Sequence, residues 1–217
     1  MKGDPIRATI LSSKVIANVD PYMAESLGLG PHQKSIGLVT TDLDDTSYTA
    51  LDEATKKADV EVVYARSFYG GAANANTKLA GEFIGILAGP DPAEVISGIN
   101  AFIEFLAADA CFYSANEDDT ICYYAYTISR SGSYLSKVAN IPEGEPIAYL
   151  IAPPLEAMYA LDAALKAADV RMAAFYGPPS ETNFGGGLLT GSQSACKAAC
   201  DAFKDAVIYV AENPVAL

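Results

Sequence analysis

Hydrophobic and polar residues along the first part of the chain predict short, regular elements. The β-branched, apolar segment at residues 7–19 predicts one or two short strands. Asp20 and Pro21 then supply a helix N-cap and a first-turn proline, which predict a short helix as far as Leu29. The apolar run Ser35–Thr41 predicts a strand that leads into an acidic loop. The chain therefore begins with strand, short helix and strand.

One eleven-residue segment occurs twice. Ala50–Val60 reads ALDEATKKADV and Ala160–Val170 reads ALDAALKAADV, with eight identical positions. Alanine-rich amphipathic helices can resemble one another by chance, but apolar runs precede and follow both copies, including Pro146–Ala152 before the second. A repeat at about half the chain length indicates a duplicated domain. We therefore expect two domains, at residues 1–108 and 109–217.

The first half is expected to end with two strands and a helix. Apolar runs at Val60–Ala65 and Gly81–Ala88 predict the strands, and Pro92 opens a helix that extends to Leu106. The spacing places a core-facing stripe on this helix at Val95, Ile96, Ile99, Phe102, Ile103 and Leu106.

The second half repeats this order. Strands are predicted at Ile121–Ser129 and Val170–Tyr176, and a final helix at Ser192–Glu212. The motif KVANI at Lys137–Ile141 echoes KVIANV at Lys14–Val19, which predicts that the strand before the repeat is duplicated as well. The shared order of strand, helix, strand, loop, strand and helix indicates an α+β fold. Its antiparallel sheets would carry helices packed on one face.

The charge of the chain argues against a nucleic acid partner, and its apolar pattern argues against a membrane location. The chain has 14 Lys and Arg against 27 Asp and Glu, which gives a net charge of −13, and each half contributes about half of this negative charge. Nucleic acid binding requires basic patches, so we expect no nucleic acid partner. No apolar segment approaches the ~18 residues of a membrane span, and the start of the chain lacks the apolar block of a signal peptide. We therefore expect a cytoplasmic protein with no membrane partner.

Few side chains suit catalysis or metal binding. Cys196 and Cys200 lie four apart on a predicted helix, where buried thiols are favoured over a metal-binding pair. His32 is the only histidine of the sequence, and its context favours a residue in a solvated turn over a catalytic base. Gly185–Gly187 matches no phosphate-binding loop and predicts a flexible or tightly turned backbone. We expect no metal and no cofactor.

Polar side chains on loops remain as candidate binding groups. Asp44 and Asp45 are adjacent carboxylates before the first repeat helix, where helix capping is an equally good explanation. Glu82 begins an apolar strand, and the polar residues 180–183 precede the glycine run. Such loops together would form an acidic site that attracts a small cation.

Several motifs resemble one known family across nearly the whole chain. LDEATKKADVEVVY, APPLEAMY, PPSETN and LTGSQSACKAACDAF are similar to EutL-type shell proteins of ethanolamine-utilisation bacterial microcompartments. The resemblance implies two circularly permuted, ferredoxin-like bacterial microcompartment (BMC) domains in tandem. It also implies a structural, non-enzymatic protein in the shell of a cytoplasmic microcompartment. Such a protein forms a homotrimer of pseudohexameric outline that tiles edge to edge with other shell proteins.

The resemblance further implies two kinds of pore, a gated central pore and a small acidic pore in each subunit that binds ethanolamine. Matching motifs place the ethanolamine residues at Asp44, Asp45, Glu82, Phe112, Thr182, Asn183 and Phe184. The pore loops would contain Gly70, Gly71, Asn74, Asn76, Gly185, Gly186 and Gly187. Some relatives carry a histidine linked to zinc in the first of these loops, where this chain has Asn74 and Asn76. Cobalamin is a conceivable cargo of the central pore, implied only by the pathway.

A second class of function stays open at this stage. A soluble, oligomeric amine-binding or sensor protein of tandem ferredoxin-like fold would share the acidic site and would not assemble into sheets. An enzyme would need acid–base or metal-binding residues that these loops lack.

Overall fold

The computed structural model describes residues 1–67, 82–180 and 183–215. The chain divides into two compact units. The N-terminal unit consists of Arg7–Ala110 and Gly132–Leu135, and the C-terminal unit of Met1–Ile6, Cys111–Ser131 and Ser136–Leu217. A single division after residue 108 would place residues 1–6, 109–110 and 132–135 in the other unit.

The elements follow one another in an order that is repeated. In the chain they are β1 (Pro5–Ile6), β2 (Ile10–Ile16), α1 (Pro21–Ser26), β3 (Ser35–Thr41), α2 (Asp45–Lys57), β4 (Glu61–Ser67), β5 (Phe83–Gly89), α3 (Pro92–Ala108), β6 (Phe112–Ser114), β7 (Cys122–Ile128), α4 (Ser133–Ala139), β8 (Ile147–Ala152), α5 (Pro154–Ala167), β9 (Val170–Tyr176), β10 (Gly185–Gly191) and α6 (Gln193–Glu212). The run from β2 to α3 has the same order of strands and helices as the run from β7 to α6.

The N-terminal unit is built on an antiparallel sheet of order β2-β3-β5-β4. Alternation along the strands sends Val39 and Leu87 to one face, where α2 and α3 pack, and Ile36 and Ile86 to the other. A Cβ at Gly37 would lie 2.7 Å from Val95 Cγ1, so glycine at this position lets α3 approach the sheet. The helices thus cover one face of the sheet, as the sequence predicts.

The C-terminal unit has the equivalent sheet order, β7-β8-β10-β9, which β6 and β1 extend at the β7 edge. Helices α5 and α6 pack on one face through small and apolar residues such as Ala148, Leu150 and Phe203. The opposite face carries aromatic side chains, with Tyr124 in contact with Tyr126 and Tyr149. The expected α+β fold with antiparallel sheets is confirmed.

Three details differ from the sequence-based expectations. Lys137–Ile141 does not form a strand, because Ser133–Ala139 is helix α4, in which Leu135 and Ala139 are buried four residues apart. Ile96 does not belong to the core stripe of α3 and is 46% exposed, because Val95 and Ile99 already occupy the inward direction of that turn. Gly185–Gly187 form the start of β10 and pair with both β8 and β9, so they are not a loop.

Gly186 is the position of β10 where a side chain would cost most. Its φ is +152°, and a Cβ would lie 1.9 Å from the carbonyl oxygen of Leu150 on β8. We expect Gly186→Ala to lower the free energy of unfolding by about 3 kcal/mol or more, since both strain and a backbone clash act together. Urea denaturation measures this. Gly30→Ala is the matched control, because its Cβ would meet nothing closer than 3.7 Å. Equal urea midpoints for the two variants would contradict the assigned geometry.

Candidate functional site

The acidic loop between β3 and α2 is held by a compact set of hydroxyl hydrogen bonds. Thr41 Oγ1 donates to the Leu43 carbonyl at 2.8 Å and lies 2.7 Å from Ser47 Oγ. Ser47 Oγ in turn donates to the same carbonyl at 2.6 Å. The loop therefore has a defined conformation, and α2 begins directly after it.

Asp44 is the N-cap residue of α2, and its carboxylate is buried. Its Oδ1 accepts a hydrogen bond from the Asp45 amide at 2.9 Å. Burial raises the pKa of Asp44, and hydrogen bonds from the Ser67 hydroxyl and from the Asp45 amide lower it by less. Asp45 is also buried and is the first residue of the helix. Capping and cation attraction are thus compatible roles for this pair.

Glu82 lies beside this loop because its amide donates to the Thr41 carbonyl at 2.9 Å, one step beyond the β3–β5 pairing. Its carboxyl is half-buried. Its pKa is raised by that burial first, and then by the negative charges of Asp44 and Asp42. The structure therefore brings Glu82 and Asp44 into electrostatic contact, as their assignment to one site requires.

Sequence reasoning left two residues of this cluster out of the site. Asp42 acts on Glu82, and its Oδ1 accepts from the Thr9 amide at 2.5 Å. Ser67, at the end of β4, bonds Asp44 and accepts from the Tyr48 hydroxyl at 3.0 Å. The acidic motif DLDDT already indicates that Asp42 belongs to the cluster. Ser67 reaches Asp44 through the pairing of strands in the sheet, which no local motif indicates. The cluster is thus larger than its motif.

The carboxylates at the β3–α2 loop can attract a small organic cation. Among residues 1–67, 82–180 and 183–215, no three His, Cys, Asp or Glu side chains are grouped so as to hold a metal. An ammonium ion needs negative charge and hydrogen-bond acceptors without a fixed coordination number. Asp42, Asp44 and Glu82 can supply both in the N-terminal unit.

The other predicted ethanolamine residues lie in the C-terminal unit. The rings of Phe112 and Phe184 have their centroids 6.1 Å apart, and Phe112 also contacts Tyr124 at 5.3 Å. Asn183 is exposed and has a left-handed φ of +67°. The structure thus brings Phe112 and Phe184 together and places Asn183 next to Phe184 in the chain. Thr182 lies outside the described residues, and so do Gly70, Gly71, Asn74 and Asn76.

The cysteine pair and the histidine behave as the sequence predicts. Cys196 and Cys200 are buried, and the Thr127 hydroxyl donates to Cys200 Sγ at 3.3 Å. Burial raises the pKa of Cys200 to about 11, so this thiol stays protonated and inert. His32 is exposed. In the described part of the chain, no helix has the length and apolar character that crossing a membrane requires.

Comparison with known proteins assigns the chain and its fold to one family. The BMC domain model matches residues 35–116. The bacterial microcompartment shell protein EutL of Clostridium perfringens is 69% identical over 215 residues, which cover 99% of each chain. The chain belongs to the EutL family of bacterial microcompartment shell proteins. The solved EutL structure from Leptotrichia buccalis has a TM-score of 0.97 at 69% identity, with all of both chains covered.

A more distant likeness shows the fold alone. A solved structure of the trimeric bacterial microcompartment shell protein PduB has a TM-score of 0.76 at 20% identity, covering 94% of this chain and 89% of that one. Membership of the EutL family makes this chain a structural component of a microcompartment shell and not an enzyme. Family membership therefore favours the shell protein over the alternative of a soluble amine-binding or sensor protein.

The raised pKa of Asp44 makes stability depend on pH in a defined direction. A raised carboxyl pKa adds stability below the pKa of the unfolded chain, and that stability is lost as pH rises through the pKa of the folded state. Asn keeps the N-cap and does not titrate. We therefore expect the free energy of unfolding of Asp44→Asn, relative to that of the unsubstituted chain, to increase as the pH is raised from about 4 to about 7. Urea denaturation at both pH values measures the difference, and a gain confined to the acid end would contradict the assigned shift.

Proposed function

We propose that this chain forms a trimeric, pore-containing tile of an ethanolamine-utilisation microcompartment shell. Support comes from the two sheets, which share one strand order within a single chain. Three such chains supply six similar units, enough for a ring of pseudohexameric outline. PduB, described as trimeric, has the same fold. Other shell proteins are the proposed neighbours at the edges of the tile.

We also propose that the acidic cluster of the N-terminal unit binds ethanolamine. The observation that carries this proposal is the proximity of the buried Asp44 carboxyl to the half-buried Glu82 carboxyl, whose pKa the negative charge of Asp44 raises. A bound ammonium group would relieve this repulsion and favour the ionised form of both. Asp42 and Asp45 add further negative charge at the start of α2. A bound cation therefore reduces the unfavourable electrostatic energy between these carboxylates.

The remaining parts of the small-pore and gating hypothesis rest on the resemblance. Phe112, Asn183 and Phe184 keep their proposed role toward ethanolamine, as does Thr182. Gating is proposed as a population shift, in which a ligand favours a conformation by its differential affinity for it. The proposal does not include Gly185–Gly187 as moving loops, because β10 is hydrogen-bonded on both sides. Cobalamin stays a pathway-based prediction of cargo.

Ethanolamine binding should depend on the carboxylate at the start of α2. We expect Asp45→Ala to abolish the binding that calorimetry detects with the unsubstituted protein, because a charge near the ammonium group is lost. Asp59→Ala is the matched control, since Asp59 is exposed in the same unit. Affinity should also fall as the pH is lowered and Asp44 and Glu82 become protonated. Equal affinity in the Asp45→Ala variant would reject this site.

Tiling should be visible directly. Concentrated protein is expected to form sheets or tubes with a hexagonal lattice in negative-stain electron microscopy, because flat cyclic oligomers with complementary edges extend in two dimensions. Dispersed particles at every concentration and salt condition would contradict tiling by this chain alone. Light scattering on the same samples gives the mass of the dispersed unit, for which we expect three chains.

A further inference from the structure

The two halves of the chain contain equivalent helices whose surroundings differ. Helix α5 repeats α2, so that Tyr48 corresponds to Met158 and Asp52 to Asp162. The short helices α1 and α4 also correspond, because each begins five residues after a strand that ends in isoleucine. Gly28 and Asn140, at equivalent positions after these two helices, both have positive φ. This register pairs Tyr22 with Tyr134 and Met23 with Leu135.

In the N-terminal unit, the segment Gly132–Leu135 at the start of α4 covers one face of α2. Asp52, fully buried, accepts from the amides of Gly132 at 2.7 Å and of Leu135 at 2.8 Å. The ring of Tyr134 stacks on Tyr48 with centroids 6.3 Å apart. Leu135 is only 1% exposed. This face of α2 is therefore a built docking surface for the first turn of a short helix.

The same face of α5 is uncovered. Met158, the equivalent of Tyr48, is 44% exposed, and its neighbours Leu155 and Tyr159 are exposed as well. Tyr209 of α6 stacks on Tyr159 at 6.0 Å and extends this apolar surface. Asp162 has an exposed carboxylate whose partner is Lys166 on the same helix. The α5 surface, defined as Leu155, Met158, Tyr159 and Tyr209, therefore lacks the cover that its sister helix has.

The first turn of α1, which corresponds to the start of α4, is also exposed. Tyr22, the equivalent of Tyr134, is 82% exposed, and Met23 is exposed where Leu135 is buried. Among the described residues, a single chain thus presents both halves of the contact that α2 and α4 make in the N-terminal unit, and each half is exposed. Exposed apolar side chains that have a buried counterpart in a sister domain indicate an interface.

We propose that the first turn of α1, with Tyr22 and Met23, docks on the α5 surface of a second copy of this chain. Such a contact is heterologous, since the two surfaces differ, and repeated contacts of this kind form a ring when the rotation between copies closes. Closure at three chains rests on the trimer proposed above. The contact itself identifies which surfaces of neighbouring copies meet in that trimer.

The contact between copies cannot reproduce the internal one at the position of Gly132. Asp20 stands where the internal contact has Gly132, and a Cβ at Gly132 would lie 2.6 Å from the backbone carbonyl oxygen of Asp52, the residue to which Asp162 of α5 corresponds. Asp20 also caps its own helix by accepting from the Tyr22 amide at 2.9 Å. The approach of α1 is therefore less close than that of α4, and the contact depends on Tyr22 and Met23 against apolar side chains.

Cysteine cross-linking tests the pairing of the two surfaces. The variant Tyr22→Cys/Met158→Cys, treated with a short bifunctional thiol reagent, is expected to give covalent dimers and trimers on denaturing gels. The two single-cysteine variants are the controls for the four native thiols. A product that remains one chain in mass, or a ladder equal to that of the single variants, would overturn the proposed pairing.

Substitution at the α5 surface tests its energetic role. Met158→Glu is expected to raise the dissociation constant of the oligomer at least about tenfold in sedimentation experiments, since it places a charge in a buried contact. Ile96→Glu on α3 is the matched control, because Ile96 is 46% exposed on a helix. Circular dichroism verifies that both variants fold. An unsubstituted protein that stays monomeric would overturn the trimer itself, whereas a trimer unaffected by Met158→Glu would overturn only this interface.

Discussion

Burial of one sheet face beneath two helices is the constraint on which both units depend. In each unit two helices cover an antiparallel sheet whose four equivalent strands have the same order, and β6 and β1 extend the sheet of the C-terminal unit. Close approach of helix and sheet requires small residues at the contact, which are Gly37 in one unit and Ala148 in the other. Because each unit is only one sheet and one helix pair thick, the helix surfaces that point away from the sheet remain available for assembly.

Duplication and divergence explain the distribution of function over these surfaces. The start of the repeat helix carries Asp44 and Asp45 in one unit and Pro153 and Pro154 in the other. Within the described residues, the acidic cluster therefore belongs to the N-terminal unit, although both units have the same fold. The second unit instead carries aromatic residues on the sheet face that its helices leave free. One ancestral scaffold thus carries two chemically different clusters of side chains in a single chain.

Local signals predicted most elements, and long-range packing decided the rest. Asp20 before Pro21, and Ser192 before α6, cap helices as their motifs indicate. The KVANI motif was misleading because the local pattern does not reveal that Gly132 and Leu135 donate to a buried carboxylate on α2. Asp44 and Glu82 were predictable from their motifs. Ser67 was not, since sheet pairing alone brings β4 to the loop.

Electrostatics limit the kind of contact by which identical copies of this chain assemble. Each copy carries a net charge of −13, shared between both halves, so copies repel one another in solutions of low ionic strength. Exposed ion pairs contribute little against such repulsion. Burial of apolar side chains is independent of charge and scales with the area removed from water. Assembly of acidic copies therefore requires apolar surfaces at the contacts, and the exposed face of α5 provides one.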